Sequence, residues 1–464
     1  MQSPSPGYAV TLRVHIREAS LTGDVTQAVI GTGAVLTALD VVESGPAGLV
    51  VDVTCDAVDA AHSTSITAAV DAIGGVSVSK VSDRTFLLHL GGKLEVVPTV
   101  PLKHRDDLSR AYTPGVARIC RAIADNPADA RRLTIKRNTV AIVTDGSAVL
   151  GLGNIGPAAA LPVMEGKAAL FKQFAGVDAW PVCIDSQDTD RIVEIVCALS
   201  STYGGINLED ISAPRCFEIE RRLRELLDIP VFHDDQHGTA IVVLAALRNA
   251  LRVVGKTLSD VRIVVSGVGA AGHAIIRLLQ VQGAKDIVAC DRRGTLHRGR
   301  THTDRARAWI AETTNQAQFV GSLAEALRDA DVFIGVSGPD LLTGADIATM
   351  ASEAIVFALA NPDPEVDPTE AARHAAVVAT GRSDHPNQIN NVLAFPGFFR
   401  GMLGGGASEI TDAHLLAASE AIADIVGAEE RNPSYIVPSV FDPRVAALVA
   451  EAVEAAVHAG EAHR

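Results

Sequence analysis

Between Tyr8 and about Leu90 the spacing of apolar positions changes several times. YAVTLRVHI, VLTALDVVES, GLVVDVTC and VSVSKV alternate with a period of two and are rich in β-branched residues, so each is predicted to be a strand. GDVTQAVIGTG and STSITAAVDAIGG instead place apolar residues three and four apart, the spacing of a helix face. The predicted order is βαββαβ. The stretch from Val97 to Asp107 (VPTVPLKHRDD) is polar and proline-bearing and reads as a linker. Helix and strand patterns then alternate up to a long apolar helical run, Thr239 to Val254. Beyond Lys256 the text becomes strand, glycine turn, helix and strand in VRIVVSGVGAAGHAIIRLLQVQGAKDIVACD, with DVFIGVSG and AIVFALANP as further parallel strands. From about Phe395 helical text dominates. The pattern predicts an α/β chain in three parts, residues 1–92, 93–255 and 256–464.

The formal charge of −15, from 55 acidic against 40 basic residues, repels phosphate backbones and anionic lipid. Nucleic acid and membrane surfaces are therefore excluded as partners. A small anionic substrate needs a local positive centre, supplied by a bound cation, a placed Lys or Arg, or a helix N-terminus. Cys55, Cys120, Cys183, Cys197, Cys216 and Cys290 are scattered without a CxxC pair, which argues against a disulfide framework or a zinc thiolate site. The opening residues lack a basic segment followed by an apolar one, and no later run approaches the roughly 20 apolar residues of a membrane span. The expected location is the cytoplasm.

The opening βαββαβ segment resembles the ACT family of small-molecule sensing domains, although the turn from Leu21 to Asp24 keeps only Gly23 of that family's usual Pro-Gly. The resemblance implies that residues 1–92 form a regulatory domain taking a small effector, such as an amino acid, between two copies. A plain dimerisation module without a ligand is the alternative.

GVGAAG, with Gly267, Gly269, Ala270, Ala271 and Gly272, follows an apolar strand and opens a helix, and Asp291 ends the next strand. That context marks a Rossmann-type nucleotide domain: the glycines allow a tight turn and close approach to a pyrophosphate, and Asp291 can accept from ribose hydroxyls. Asp291 favours NAD by repelling a 2′-phosphate, while Arg292 and Arg293 beside it can attract one, leaving NADP as the alternative. GLGNIG, from Gly151 to Gly156, fits the same pattern, but Pro162 and Gly166 are expected to interrupt any helix behind it.

Two acidic clusters, Glu209 with Asp210 and Asp234 with Asp235, sit at probable element ends and offer hard oxygen ligands suited to Mg2+ or Mn2+. His233 and His237 have a zinc-like spacing, but the segment reads as a strand passing into a turn, which favours packing histidines.

AYTPGVA from Ala111, TDGSAVLGLGNIG from Thr144, VMEGKAALFK from Val163, LEDI, FHDDQHGTA, ANP from Ala360 and INNVLAFPG from Ile389 resemble the malic enzyme family, in that family's order. The resemblance implies oxidative decarboxylation of malate to pyruvate, with Tyr112 as general acid, Lys167 as general base, and Glu209, Asp210 and Asp235 as metal ligands. Asp234 then supports Lys167, since adjacent residues on an extended segment point to opposite sides. Asn361 and Asn391 match asparagines that hold substrate and nicotinamide, and a homo-oligomer, dimer or higher, is implied. Longer members place a substrate-binding Arg where this chain has Ala148, so the carboxylate clamp is built differently; Arg382 is one candidate. Another 2-hydroxy acid as substrate, and a non-enzymatic metabolite sensor, are the competing readings.

Overall fold

The computed structural model describes residues 4–149, 151–302 and 304–461. Leu150, inside the TDGSAVLGLGNIG motif, lies outside the described residues. The chain divides into two compact units, Met1–Glu95 and Val96–Arg464.

In the first unit, β1 (Ser5–Ile16), β2 (Val35–Gly45), β3 (Gly48–Ala57) and β4 (Val76–Asp83) form one sheet in the order β2-β3-β1-β4, with every pairing antiparallel. Alternation along β1 buries Val10, Leu12, Val14 and Ile16 and leaves Arg13 and His15 exposed. The buried row packs with Val25 and Val29 of the helix Thr22–Gly31 and with Ile66 and Val70 of the helix Ala60–Asp71. Full burial of such side chains stabilises by about 1.5–3 kcal/mol each. A further helix, Arg84–His89, follows β4; Asp83 caps it by accepting from the Phe86 amide. The expected linker is shorter than the polar text suggested. Its residues from Arg105 onward begin the helix Arg105–Ala111, where Asp106 and Asp107 in the first turn favour the positive end of the helix dipole.

In the second unit, β5 (Thr139–Thr144), β6 (Asp178–Cys183), β7 (Gly205–Leu208) and β8 (Val231–His233) form a parallel sheet in the order β6-β5-β7-β8. Helices Pro157–Ala175, Thr189–Leu199 and Arg215–Leu226 make the crossovers. Ile192, Val196, Ile219 and Leu223 from the last two pack with Val143, Ile206 and Leu208 of the sheet. The helix Pro157–Ala175 overturns one expectation, because it runs unbroken through Pro162 and Gly166. Pro162 removes one amide donor near the helix start, a local loss that the packing of Met164, Lys167, Ala168 and Phe171 offsets.

The helix Thr239–Val254 is buried without a break from Ala240 to Leu247. With the turn before it, this run averages apolar enough to cross a membrane, contrary to the sequence expectation, yet 72% of that window is buried inside the unit, so it serves as a core helix. A second sheet follows, with β9 (Arg262–Ser266), β10 (Asp286–Asp291), β11 (Gly294–Thr295), β12 (Val332–Gly335), β13 (Ile355–Ala358) and β14 (Val377–Thr380). Its order is β11-β10-β9-β12-β13-β14, parallel except for β11 against β10. Helices Phe395–Gly404, Asp412–Ile425 and Arg444–Glu461 close the chain. Phe395 and Phe399 of the first of these lie 4.7 and 5.4 Å, centroid to centroid, from Phe171, tying the terminal helices to the helix that carries Lys167. All six thiols are free.

Candidate active site

Ligands of parallel α/β sheets bind beyond the carboxyl ends of the strands. Glu209 and Asp210 follow β7, and Asp234 and Asp235 follow β8, so the fold delivers all four carboxylates to that end of one sheet. Ligand oxygens of Glu209, Asp210 and Asp235 lie within 4.8 Å of one another. The Asp210 amide donates to Asp235 Oδ2 at 3.1 Å, and its carbonyl accepts from the Ala148 amide at 2.9 Å. Asp210 takes φ +53°, a left-handed conformation that aspartate tolerates better than branched residues do. Asn207 Nδ2 donates to Glu209 Oε2 at 2.9 Å.

Lys167 is buried and donates to Asp234 Oδ2 at 2.5 Å and to Glu209 Oε2, and its ammonium lies 4.6 Å from the centre of the Phe395 ring. Burial alone would lower the Lys167 pKa, but Asp234, Glu209 and more distantly Asp235 outweigh it and hold the ammonium above the ordinary lysine value. Burial also pushes Glu209 well above the usual carboxylate range. Asp210 is pushed up to about 7, by burial first and then by the charge of Asp235. Four carboxylates thus face one ammonium, and Asp210 Oδ2 is buried with no hydrogen-bond donor among the described residues. That excess of close, hard oxygen donors is what a divalent cation such as Mg2+ or Mn2+ satisfies.

Asp234 and Asp235 differ from expectation in backbone, since they open a π-helical turn, Asp234–Gly238, where an extended pair was predicted. Successive side chains on a helical turn still diverge, so Asp234 faces Lys167 while Asp235 joins the trio. Gly238 closes the turn, and a Cβ there would lie 1.9 Å from Asp234 Oδ1. Asn391 Nδ2 donates to Asp234 Oδ2 at 3.2 Å, bracing the carboxylate from the other side. Behind the turn, His237 Nε2 pairs with the buried Glu220 at 2.6 Å, while His233 is fully buried and makes no hydrogen bond among the described residues.

The turn packs against the helix Ala270–Val281, which brings the dinucleotide motif next to the carboxylates. Gly267 leaves β9 at φ +102°, Gly269 is the N-cap, and Ala270 and Ala271 open the helix. A Cβ at Gly272 would lie 1.8 Å from the Gly267 carbonyl oxygen, so only glycine allows so tight a turn. The first-turn amides there suit a pyrophosphate. Asp291 stands at the end of β10. Asn361 follows β13, where its side chain donates at a long 3.4 Å to the Leu359 carbonyl, its one hydrogen bond among the described residues. Beneath it, the buried Glu365 accepts from the amides of Ser337 and Ala360 at 2.8 and 3.0 Å, joining the loops after β12 and β13.

Two candidates make no hydrogen bond to this cluster among the described residues. Tyr112 is 68% exposed, and its phenol makes no hydrogen bond among the described residues. Arg382 is committed to Asp384 at 2.8 and 2.6 Å and leaves no free clamp for a substrate carboxylate. The GLGNIG loop turns through Gly151, Gly153 and Gly156, all at positive φ, and Gly151 comes close to Pro362 beside Asn361. Sequence reasoning missed Asn207, Glu365, Glu220 and the pairing of the buried Asp145 with Arg215 at 2.8 Å. Asn207 immediately precedes LEDI and Glu365 lies three residues after ANP, so both flank motifs already singled out and were within reach.

A parallel-sheet nucleotide domain set against a buried lysine and a trio of carboxylates defines a dinucleotide-dependent oxidoreductase. Residues 91–224 match the malic enzyme N-terminal domain, and residues 236–458 the malic enzyme NAD-binding domain. The NAD-dependent malic enzyme of Geobacillus stearothermophilus is 52% identical over 464 residues, 99% of this chain and 97% of that protein. The NADP-dependent malic enzyme of Escherichia coli (strain K12) is 47% identical over 80% of this chain, which spans 51% of that longer protein. The crystal structure of the NAD-dependent malic enzyme from Thermotoga maritima matches with a TM-score of 0.77 at 48% identity, over 80% of this chain and 99% of that one. This chain belongs to the malic enzyme family.

Proposed function

We propose that the chain oxidises and decarboxylates malate to pyruvate and CO2 while reducing NAD, with NADP as a second acceptor and Mg2+ or Mn2+ held by Glu209, Asp210 and Asp235. The convergence of Lys167 with those carboxylates carries this reading. A divalent cation held there would stabilise negative charge developing on the C2 oxygen of malate and lower the Lys167 pKa by opposing its carboxylates. Lys167, braced by Asp234 and Asn391, takes the hydroxyl proton as the C2 hydride leaves for the nicotinamide. The C3–C4 bond of the resulting oxaloacetate then breaks, releasing CO2, and Tyr112 protonates C3 of the enol to give pyruvate. Asn361, on the loop anchored by Glu365, is placed to orient substrate and nicotinamide.

Tyr112 reaches this chemistry in a homodimer. Its exposure, together with that of Leu102, Leu108 and Ile119 nearby, supports an interface at which the partner subunit's Tyr112 completes the pocket. The βαββαβ unit is ACT-like and regulatory. A cavity of about 500 Å³ at one end of its sheet has Arg17 and Glu43 in its lining, charges suited to the carboxylate and ammonium of an amino acid.

Nicotinamide reduction followed by absorbance, with malate against tartrate, isocitrate and 3-isopropylmalate, tests the reading. Malate should be the substrate, dependent on added Mg2+ or Mn2+, and Lys167→Ala and Asp235→Ala should each lower turnover by about a hundredfold or more. Preference for another acid, or near-native turnover in both variants, would overturn it. Removing residues 1–92 should preserve catalysis and abolish any response to amino acids.

A further inference from the structure

Asp291 holds the position from which a carboxylate accepts the adenine ribose hydroxyls and turns a 2′-phosphate away. Here that carboxylate is not left as a bare negative charge. Its Oδ1 accepts the Arg293 amide at 2.8 Å, and its Oδ2 accepts from the guanidinium of Arg300. Arg300 is fixed in turn by donating to the carbonyls of Gly294 and Thr295 at 3.4 and 3.2 Å. The pair is largely shielded, with side-chain exposures of 12% for Arg300 and 17% for Asp291, so solvent screens it weakly. Arg292 and Arg293 add two exposed guanidiniums on the same turn.

We infer that Arg300 is a specificity-determining residue of the cofactor site: by neutralising Asp291 it keeps the ribose end open to a 2′-phosphate, so that NADP is accepted as well as NAD. Asp291 retains lone pairs for the 2′-hydroxyl of NAD. A 2′-phosphate at the same place meets one carboxylate against three guanidiniums. The inference rests on the proposed cofactor use and adds to it the residue that sets the preference. It differs from the sequence expectation, in which Asp291 alone favours NAD and only Arg292 and Arg293 oppose it.

The test is titration of the full-length protein with NADH and with NADPH, followed by nicotinamide fluorescence, comparing the native chain with Arg300→Gln, Arg300→Lys and Asp291→Asn. The native protein should bind the two with Kd values within about tenfold of each other, and Arg300→Gln should raise the Kd of NADPH relative to NADH by about tenfold or more. Arg300→Lys keeps the charge and should keep most of the native ratio. Asp291→Asn leaves Arg300 uncompensated and should move the ratio toward NADPH. An unchanged ratio in Arg300→Gln, or equal loss of both nucleotides, overturns the role. If Arg300→Gln does not fold, Asp291→Asn decides alone, and no shift toward NADPH overturns it. Reduced nucleotides are titrated without malate, so a failure to oxidise malate counts against the proposed function and not against this assignment.

Discussion

Lys167 Nζ and Asp234 Oδ2 meet at 2.5 Å with side-chain exposures of 8% and 2%, so the amine is held by a carboxylate in a space nearly closed to water. The lysine cannot turn away, and it starts its work protonated unless charge nearby changes.

On the proposed mechanism, removing the amine removes proton transfer while leaving the nucleotide domain untouched. Lys167→Ala should lower kcat by about 10²–10⁴-fold. Lys167→Arg keeps the positive charge but cannot act as a base, so it should be equally inactive. Recovery of turnover by arginine would show that Lys167 acts only as a buried cation.

Gly238 sets the position of Asp234. A methyl group at 1.9 Å from Asp234 Oδ1 must displace that carboxylate, which Asn391 and Lys167 grip from other directions. Gly238→Ala should cost about a hundredfold in kcat, the scale of a misplacement near 1 Å. NADH affinity, read by fluorescence, should change little. Native kcat in this variant would show that Asp234 has room to move.

Much of this was legible before the structure. Strand alternation marked the βαββαβ unit because β1 buries every second residue from Val10 to Ile16, and GVGAAG marked the nucleotide turn because Gly267 and Gly272 crowd each other. The acidic motifs pointed to the carboxylates because each follows a short parallel strand. What stayed hidden depends on distance along the chain or on tolerance. Asp145 and Arg215 are 70 residues apart, and no local pattern joins them. The helix through Pro162 was misjudged because local propensity says nothing of the apolar face that holds it. The same text described Tyr112 without saying that its side chain lies open.

Asp210 gives a pH dependence. Its folded pKa, about 7, lies above the ordinary 3.8, so protons bind the folded form more tightly. Its contribution to stability is present below the unfolded value and is lost as pH rises through about 7. In chelator-treated protein this group should lower Tm as pH rises across that window. Added Mg2+ or Mn2+ should recover Tm most at the alkaline end, because cation and proton compete for the same carboxylates. Asp210→Asn should flatten both trends; a metal-induced Tm shift larger at pH 5 than at pH 8 would contradict the competition.

The dimer proposal makes a quantitative statement. If the partner subunit's Tyr112 completes each pocket, Tyr112→Phe and Lys167→Ala are both inactive alone, yet half of the dimers formed on mixing unfolded and refolded chains are hybrids with one intact pocket. Activity should return to about a quarter of native. No recovery, in hybrids verified by two affinity tags, would place Tyr112 in its own chain's pocket or remove it from the chemistry.

The last prediction concerns the brace behind the trio. Asp145 is fully buried and accepts from Arg215 at 2.8 Å, while Ser147 donates to Asp145 and accepts from Arg215 and the Ser212 amide. One residue beyond Ser147, the Ala148 amide holds the Asp210 carbonyl, so the pair fixes the loop on which a carboxylate of the trio depends. Breaking a buried pair from one side costs about 3–5 kcal/mol, and since Arg215 keeps a quarter of its side chain in water, about 2–3 kcal/mol is expected for Arg215→Met. The double variant Arg215→Met with Asp145→Leu removes the stranded charge and should recover part of the lost Tm. It should not recover affinity for Mn2+, because the apolar pair cannot hold Ser147 and Ser212 in register beside Asp210. Calorimetry and Mn2+ titration separate the two effects: full recovery of both would mean that the pair only fills space.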